Sequence, residues 1–475
     1  MQKMLIGGHL VGADEWLPVL NPYTGEPVDH VARGGAVQVD QAVALARHGA
    51  EKMRELSLSQ RAAILRHVAE LIRQERGALA TLLTQETGKL IGESRIEVER
   101  AAMVFELAAE ACHHPRATQF PPESFSDGAS RFGFWAREPM GVVASILAFN
   151  LPLAHAAQKT APAIAAGNAV ILKPSTEAPL TVLRLGLLLY RAGMPPEALS
   201  VLTGAGDEVG RALAEHPLVQ MLTFTGSREV GLNLPLHTGA KRIEMELDAV
   251  GVLAACASAD LEQVADEAVS CGFMMAGQSA TSIQHVWAHR SLMAPLTDAL
   301  NARLARLRWG DPMDETVSLA PLIHPRALER VARWVDDALQ RGAHALAGAK
   351  AEPPFYLPTL LTEAPPESPL QSEAVFGPVI LLHTFETPDE FLKHLSRLAI
   401  GVRLAVYTRD IAEAFEIARH ARALSVHIND TPTLPIDPIV RGDMQEHHMC
   451  FEDMLQRIER LSQPKYVGFG RMSLF

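Results

Sequence analysis

Phe273-Met274-Met275-Ala276-Gly277-Gln278-Ser279-Ala280-Thr281 is the stretch where a reactive side chain is expected. It reads as the end of a helix, a Gly-Gln turn, and a small-residue step into the run Ile283-Gln284-His285-Val286-Trp287. Such a turn can hold one side chain at the mouth of a cleft. The presenting position carries Ala280, whose methyl group has no charge and no lone pair. Its neighbours are poor replacements. Cys271 lies upstream in the preceding helix, ~13 Å away along a continuous helical axis, so it reads as a buried structural thiol. Ser279 and Thr281 have no histidine partner in view, and a hydroxyl without a base is a weak nucleophile. Both read as packed or hydrogen-bonded. His447-His448-Met449-Cys450 has metal-ligand residue types. No further ligands stand nearby, so it reads as a solvated loop and no metal is expected.

Elements that could position this turn follow from the apolar spacing. Residues 1–35 hold short β-like runs with turn signals at Gly7-Gly8 and Asn21-Pro22. From Val37 to about His114 the spacing is helical, with Ser57 marking a helix entry. From Gly141 the chain alternates strand and helix. Strands are expected at 142–146, 169–172, 199–202 and 221–224, with helices at 154–165, 180–192 and up to about 216. The alternation predicts an α/β fold with a parallel, doubly wound sheet, which binds ligands beyond the carboxyl ends of its strands. Asn150, Lys173 and Ser227 fall at those ends. Residues 250–430 repeat the style. The tail, 440–475, reads as polar and helical, then β-like at 465–469.

The totals narrow the function. The chain has 475 residues and a net charge of −12, which argues against nucleic-acid and anionic-membrane partners. Hydrophobic residues make up 48% and mean hydropathy is +0.07, enough for large cores without a spanning segment. The apolar region 141–172 is interrupted by Asn150, Pro152, Lys159 and Pro162. Four dispersed cysteines form no CxxC pair, which suits a reducing, cytoplasmic setting.

Several motifs in this order resemble the aldehyde dehydrogenase superfamily over nearly the whole chain. They are Arg137-Glu138-Pro139-Met140-Gly141, Phe149-Asn150-Leu151-Pro152, Ala166-Gly167-Asn168 through Lys173-Pro174-Ser175, and Phe224-Thr225-Gly226-Ser227 with Val230-Gly231. Glu246-Leu247, Gly277-Gln278, and Glu373 with Phe376-Gly377-Pro378-Val379 complete the set. The resemblance implies two doubly wound parallel-sheet domains plus a β oligomerisation arm. It places a Rossmann-like cofactor domain at 1–115 and 139–248 and a catalytic-type domain at 249–440. The arm and tail fall at 116–138 and 441–475, implying a homodimer or homotetramer. In that family a cysteine thiolate attacks an aldehyde and hydride passes to NAD or NADP. By resemblance Asn150 is the oxyanion donor, Glu246 the base, and Ala280 the position of the lost nucleophile. Lys173, Ser175, Thr176, Thr225, Gly226, Ser227 and Phe376 would line the cofactor site, Lys173 on the adenosine ribose and Ser227 on the pyrophosphate. The expected ligand is a small aldehyde or carboxylate.

Other departures cluster near Ala280. Two family glycines after Glu246-Leu247 are Asp248-Ala249, a family glutamate is Ala374, and the aromatic two residues before Asn150 is Ala148. The segment after Asn429 is rewritten. Together they imply weakened or lost cofactor binding at the nicotinamide end. At the other end, Thr176 stands where NAD-preferring members carry Glu, which tilts any preference to NADP. Three readings follow. The first is a binding, structural or regulatory subunit without dehydrogenase turnover. The second is an altered enzyme in which Glu246 and Asn150 hydrolyse esters. The third is a working dehydrogenase carrying an engineered Cys-to-Ala change, which would explain Ala280 but not Asp248, Ala249 or Ala374.

Overall fold

The structure is a computed structural model, and it describes residues 1–115, 118–120, 132–398, 401–432, 439–445 and 448–469. Four helices lead, Ala36–Glu55, Leu58–Gln74, Arg76–Thr87 and Ile91–Ala111. Ser57 caps the second: its Oγ accepts from Gln60 N at 3.2 Å, and the Gln60 side chain returns to Ser57 N at 2.8 Å. Buried faces of these helices, including Leu65, Val68, Ile72 and Phe105, share one core with the first sheet.

That sheet holds five parallel strands, Val142–Ile146, Ala169–Lys173, Leu199–Val201, Met221–Gly226 and Arg242–Leu247. Met4–Ile6 and His9–Val11 extend it antiparallel. Strands Val142–Ile146 and Ala169–Lys173 are buried almost throughout and read as apolar runs, as strands covered on both faces must.

A second sheet has the order His344–Ala347, Thr359–Thr362, Val379–Phe385, Ile283–His289, Ala249–Ala255, Gly401–Tyr407, Ser425–Ile428. All its pairs are parallel except the first. The two parallel sheets are the aldehyde-dehydrogenase-like architecture expected. Asp248 is the single residue between the last strand of one sheet and a central strand of the other.

A third, three-stranded sheet joins Thr118–Phe120, Phe132–Pro139 and the tail strand Ser462–Phe469. Two readings of the tail and middle need correction. Residues 439–453 form a hairpin, Ile439–Gln445 with His448–Asp453, and only Met454–Arg460 is helical. The 16-residue helix Pro325–Gln340 was not anticipated. Its start is set by His324, whose Nδ1 accepts from Ala327 N at 2.9 Å, and by Pro325 at the first helical position. The side chains of His447, His448 and Cys450 lie outside the described residues. Among the described residues no group of His, Cys, Asp and Glu could hold a metal, and no helix is long and apolar enough to cross a membrane.

Candidate active site

The helix Leu261–Phe273 ends in a tight turn, Met274–Gly277. Met275 and Ala276 hold φ of 52° and 54°, and Phe376 opposite holds 46°. Non-glycine residues in this region cost of order 1–3 kcal/mol each, so the turn persists only because its surroundings fix it. Gly277 has φ +72°, and a Cβ there would sit 2.2 Å from the Gly377 carbonyl oxygen. Half-buried Glu93 accepts from Met275 N at 2.7 Å and from Leu90 N at 3.1 Å; partial desolvation raises its carboxyl above the ordinary range. Gln278 Nε2 donates to Met275 O at 3.1 Å and Pro321 O at 3.3 Å, and its Oε1 accepts from Ile323 N at 2.9 Å. Ala280 follows this strained turn and is half-buried, while Ser279 and Thr281 are buried beside it.

Ser279 Oγ and Thr281 Oγ1 lie 2.9 Å apart, a hydrogen bond between the two hydroxyls. Cys271 is buried with its Sγ 2.9 Å from Thr431 Oγ1.

Asn150 reaches the same turn. Its Nδ2 donates to the Gln278 carbonyl at 3.0 Å, leaving its second amide hydrogen. The loop that carries it is anchored by groups far away in sequence. Buried Lys89 donates to Asn150 O at 2.7 Å and pairs with buried Glu97. Glu97 Oε1 in turn accepts from Leu153 N at 2.9 Å and Ala154 N at 3.0 Å, the first turn of Pro152–Ala166. Sequence reading missed Lys89, Glu93 and Glu97, which carry no motif and come from residues about sixty or more positions distant.

Glu246 is not a free carboxylate. Arg457 Nη2 donates to its Oε1 at 3.0 Å, Lys159 Nζ lies 4.0 Å from the same oxygen, and Thr225 Oγ1 donates to Oε2 at 3.3 Å. Burial alone would raise this carboxyl, but Lys159, Arg457 and His155 outweigh it and bring it down to about 2. The folded value lies below the unfolded one of about 4.3. Its stabilisation is then present above pH ~4.5 and lost as pH falls toward 2. Replacing Arg457 by Met should move that acid loss to higher pH, read as urea midpoints from pH 7 to 3. An unchanged acid limb would show that the Arg457 contact has no part in it.

At the carboxyl end of Ala169–Lys173, Lys173 Nζ donates to Pro174 O at 3.0 Å; burial lowers it to about 8 against Glu177 and Asp207. Ser175 donates to Glu177, and Thr176 Oγ1 lies 3.5 Å from Gly204 O. Ser227 caps the short helix Arg228–Asn233, accepting from Val230 N at 3.4 Å, and follows Thr225 and Gly226 at the end of their strand. Asp248 Oδ2 accepts from Arg228 N at 3.3 Å. Burial pushes Asp248 up to about 6, against that N–H and Arg330. Phe376 meets Phe149 edge-on, centroids 6.4 Å apart.

Comparison with known proteins agrees with this architecture. A match to the aldehyde dehydrogenase family spans residues 11–445. The 3-sulfolactaldehyde dehydrogenase of Priestia aryabhattai is 32% identical over 464 residues, covering 98% of this chain and 97% of that protein. An NADP-dependent enzyme of E. coli superposes with a TM-score of 0.94 at 29% identity, covering 99% of this chain and 98% of the other. Aldehyde dehydrogenase 21 of Physcomitrella patens, solved with the reaction product succinate, gives 0.95 at 27%, covering 100% and 99%. Glyceraldehyde-3-phosphate dehydrogenase GapN of Methanocaldococcus jannaschii, complexed with NADP, gives 0.91 at 28%, covering 96% and 99%. Two parallel sheets joined at Asp248 thus coincide with full-length similarity, and the chain belongs to the aldehyde dehydrogenase family.

Proposed function

We propose that this protein is a binding or regulatory homo-oligomer of the family that has lost cysteine-dependent aldehyde oxidation. The observation that carries this reading is Ala280 at the presenting position of an otherwise complete catalytic turn. Attack on an aldehyde needs a thiolate or an activated hydroxyl, and alanine offers neither. Loss of a nucleophile has cost roughly 10⁶-fold in turnover in a serine protease, and a loss of that order is expected here.

The cofactor reading divides along the cleft. Lys173, Ser175, Thr176, Thr225, Gly226 and Ser227 keep residue types that suit the adenosine and phosphate half. The nicotinamide half fits poorly. Asp248 and Ala249 stand where the family resemblance implies two glycines, so a carboxylate and a β-carbon crowd that end, and the Ala374 side chain cannot accept from a ribose hydroxyl. We therefore place no hydride step in this protein. Ester hydrolysis by Glu246 is disfavoured by the ion pairs that hold its carboxyl near 2, because so weak a base gains little from a water proton. A Glu246→Gln variant should leave any hydrolysis unchanged.

A second reading, a working NAD(P)-dependent dehydrogenase, is favoured by full-length likeness to a protein named as a dehydrogenase. One assay separates the two. Purified protein is given NAD or NADP with a panel of aldehydes, and reduced cofactor is followed. No reduction above the no-enzyme rate is expected; acid formed in step with NAD(P)H at ordinary rates would overturn the proposal. Calorimetry with AMP, NAD and NADP should show that AMP retains binding which the nicotinamide adds nothing to. For assembly, the edge sheet exposes Trp135, Tyr466 and Phe469, which supports a dimer or tetramer that light scattering would detect. The cytoplasmic setting rests on cysteine usage alone.

A further inference from the structure

Beside the catalytic turn is a cavity of about 280 Å³, bordered by Phe149, Gln278, Ile323, Arg326, Arg330 and Phe376. Its size is at the lower end of small-molecule sites, which run from ~300 Å³ upward. Gln278 is two residues from Ala280, so whatever occupies the cavity adjoins the turn.

Arg330 is its principal charge. The guanidinium lies over the Trp334 ring, 5.0 Å from the centroid, and burial lowers its affinity for the proton. It makes no ion pair and donates no hydrogen bond among the described residues; Asp248 acts on it only at longer range. The half-buried guanidinium has five N–H donors and no acceptor, and its fork matches an oxyanion in two-point contact. Arg326, one helical turn before it on Pro325–Gln340, adds a second positive charge near a helix N-terminus. The Phe149 and Phe376 rings supply an apolar wall for a flat body.

We propose that this cavity binds a small organic anion, its oxyanion head on Arg330 and its apolar body against Phe149 and Phe376. The proposal deepens the reading above by naming the ligand class, and it rests on that reading in requiring the nicotinamide end to be free of cofactor.

The probe is benzoate, with benzamide as the uncharged control of the same shape, measured by calorimetry on the full chain and by Trp334 fluorescence. Benzoate should bind at least about tenfold tighter than benzamide, as a charge-assisted pair requires. Arg330→Met should abolish that preference and Arg330→Lys should keep part of it, while Trp334→Phe should remove the fluorescence change. Equal binding of benzoate and benzamide, no benzoate binding at millimolar concentration, or an unchanged preference in Arg330→Met would overturn the proposal. Tight displacement of benzoate by nicotinamide riboside, which has the cationic ring and no phosphate, would also overturn it. If Arg330→Met fails to fold, the benzoate and benzamide comparison on the unaltered protein carries the test alone. Reduced-cofactor formation is read separately, so a working dehydrogenase would sink the proposed function by a different signal from the one that sinks this site.

Discussion

An Ala280→Cys variant is expected to be alkylated at residue 280 on the order of 10²-fold faster than at any described native cysteine, yet to oxidise no aldehyde. The first half follows from exposure and ionisation. Residue 280 is half-buried at the turn, whereas Cys112, Cys256 and Cys271 are buried. Burial pushes the Cys112 thiol up to about 11, and burial with nearby Glu413 pushes Cys256 higher still. A thiol near the ordinary ~8.5 is a few per cent ionised at neutral pH, and one at 11 is about a hundredfold or more less so. The second half follows from the other end of the cleft. Asp248 still takes the Arg228 N–H, and Ala374 still lacks a carboxylate. Iodoacetamide labelling with peptide mass mapping checks the first, and reduced-cofactor absorbance checks the second. Rapid NAD(P)H formation by the single variant would show that Asp248 does not obstruct the nicotinamide. Addition of Asp248→Gly and Ala374→Glu is the combination expected to produce turnover.

Lys89→Met is expected to lower stability by about 3–5 kcal/mol, because it leaves Glu97 as an unpaired buried charge. Both partners are almost fully buried, at 2% and 1% side-chain exposure. Glu97 Oε1 also holds Leu153 N and Ala154 N, and Lys89 holds Asn150 O, so one ion pair fixes the entry of Pro152–Ala166. The loss is a large share of the ~5–15 kcal/mol typical of a folded domain. The double variant Lys89→Met/Glu97→Leu removes both charges together and should recover much of it. Urea denaturation of the three proteins measures this, with two-state behaviour confirmed by a second probe. A single variant within about 1 kcal/mol of the parent would show that Glu97 finds other solvation.

Much of this site was legible from local chemistry. Alternating apolar strands and helices gave the parallel sheets, because a strand covered on both faces must be apolar and a crossover helix must be amphipathic. Gly277-Gln278 marked the turn, since only glycine fits 2.2 Å from a facing carbonyl. Asn150, Lys173 and Ser227 were found at strand ends for the same positional reason. The tail hairpin at 439–453 was misread as helix, because its polar residues lack the strict alternation that betrays a strand with one buried face. The helix Pro325–Gln340 passed unnoticed although it supplies Arg330.

What residue types alone determined is that position 280 carries no thiolate: no folding can give a methyl group a lone pair. What tertiary structure decided is the state of everything around it. Glu246 could have been a base, but Arg457, a long way along the chain, and Lys159 hold it ionised. Arg330 could have been an ordinary surface cation, but the fold turns it toward a cavity where Asp248 acts on it only at longer range. Coulombic pairing and desolvation depend on distances through space, and those distances join segments that sequence spacing keeps apart.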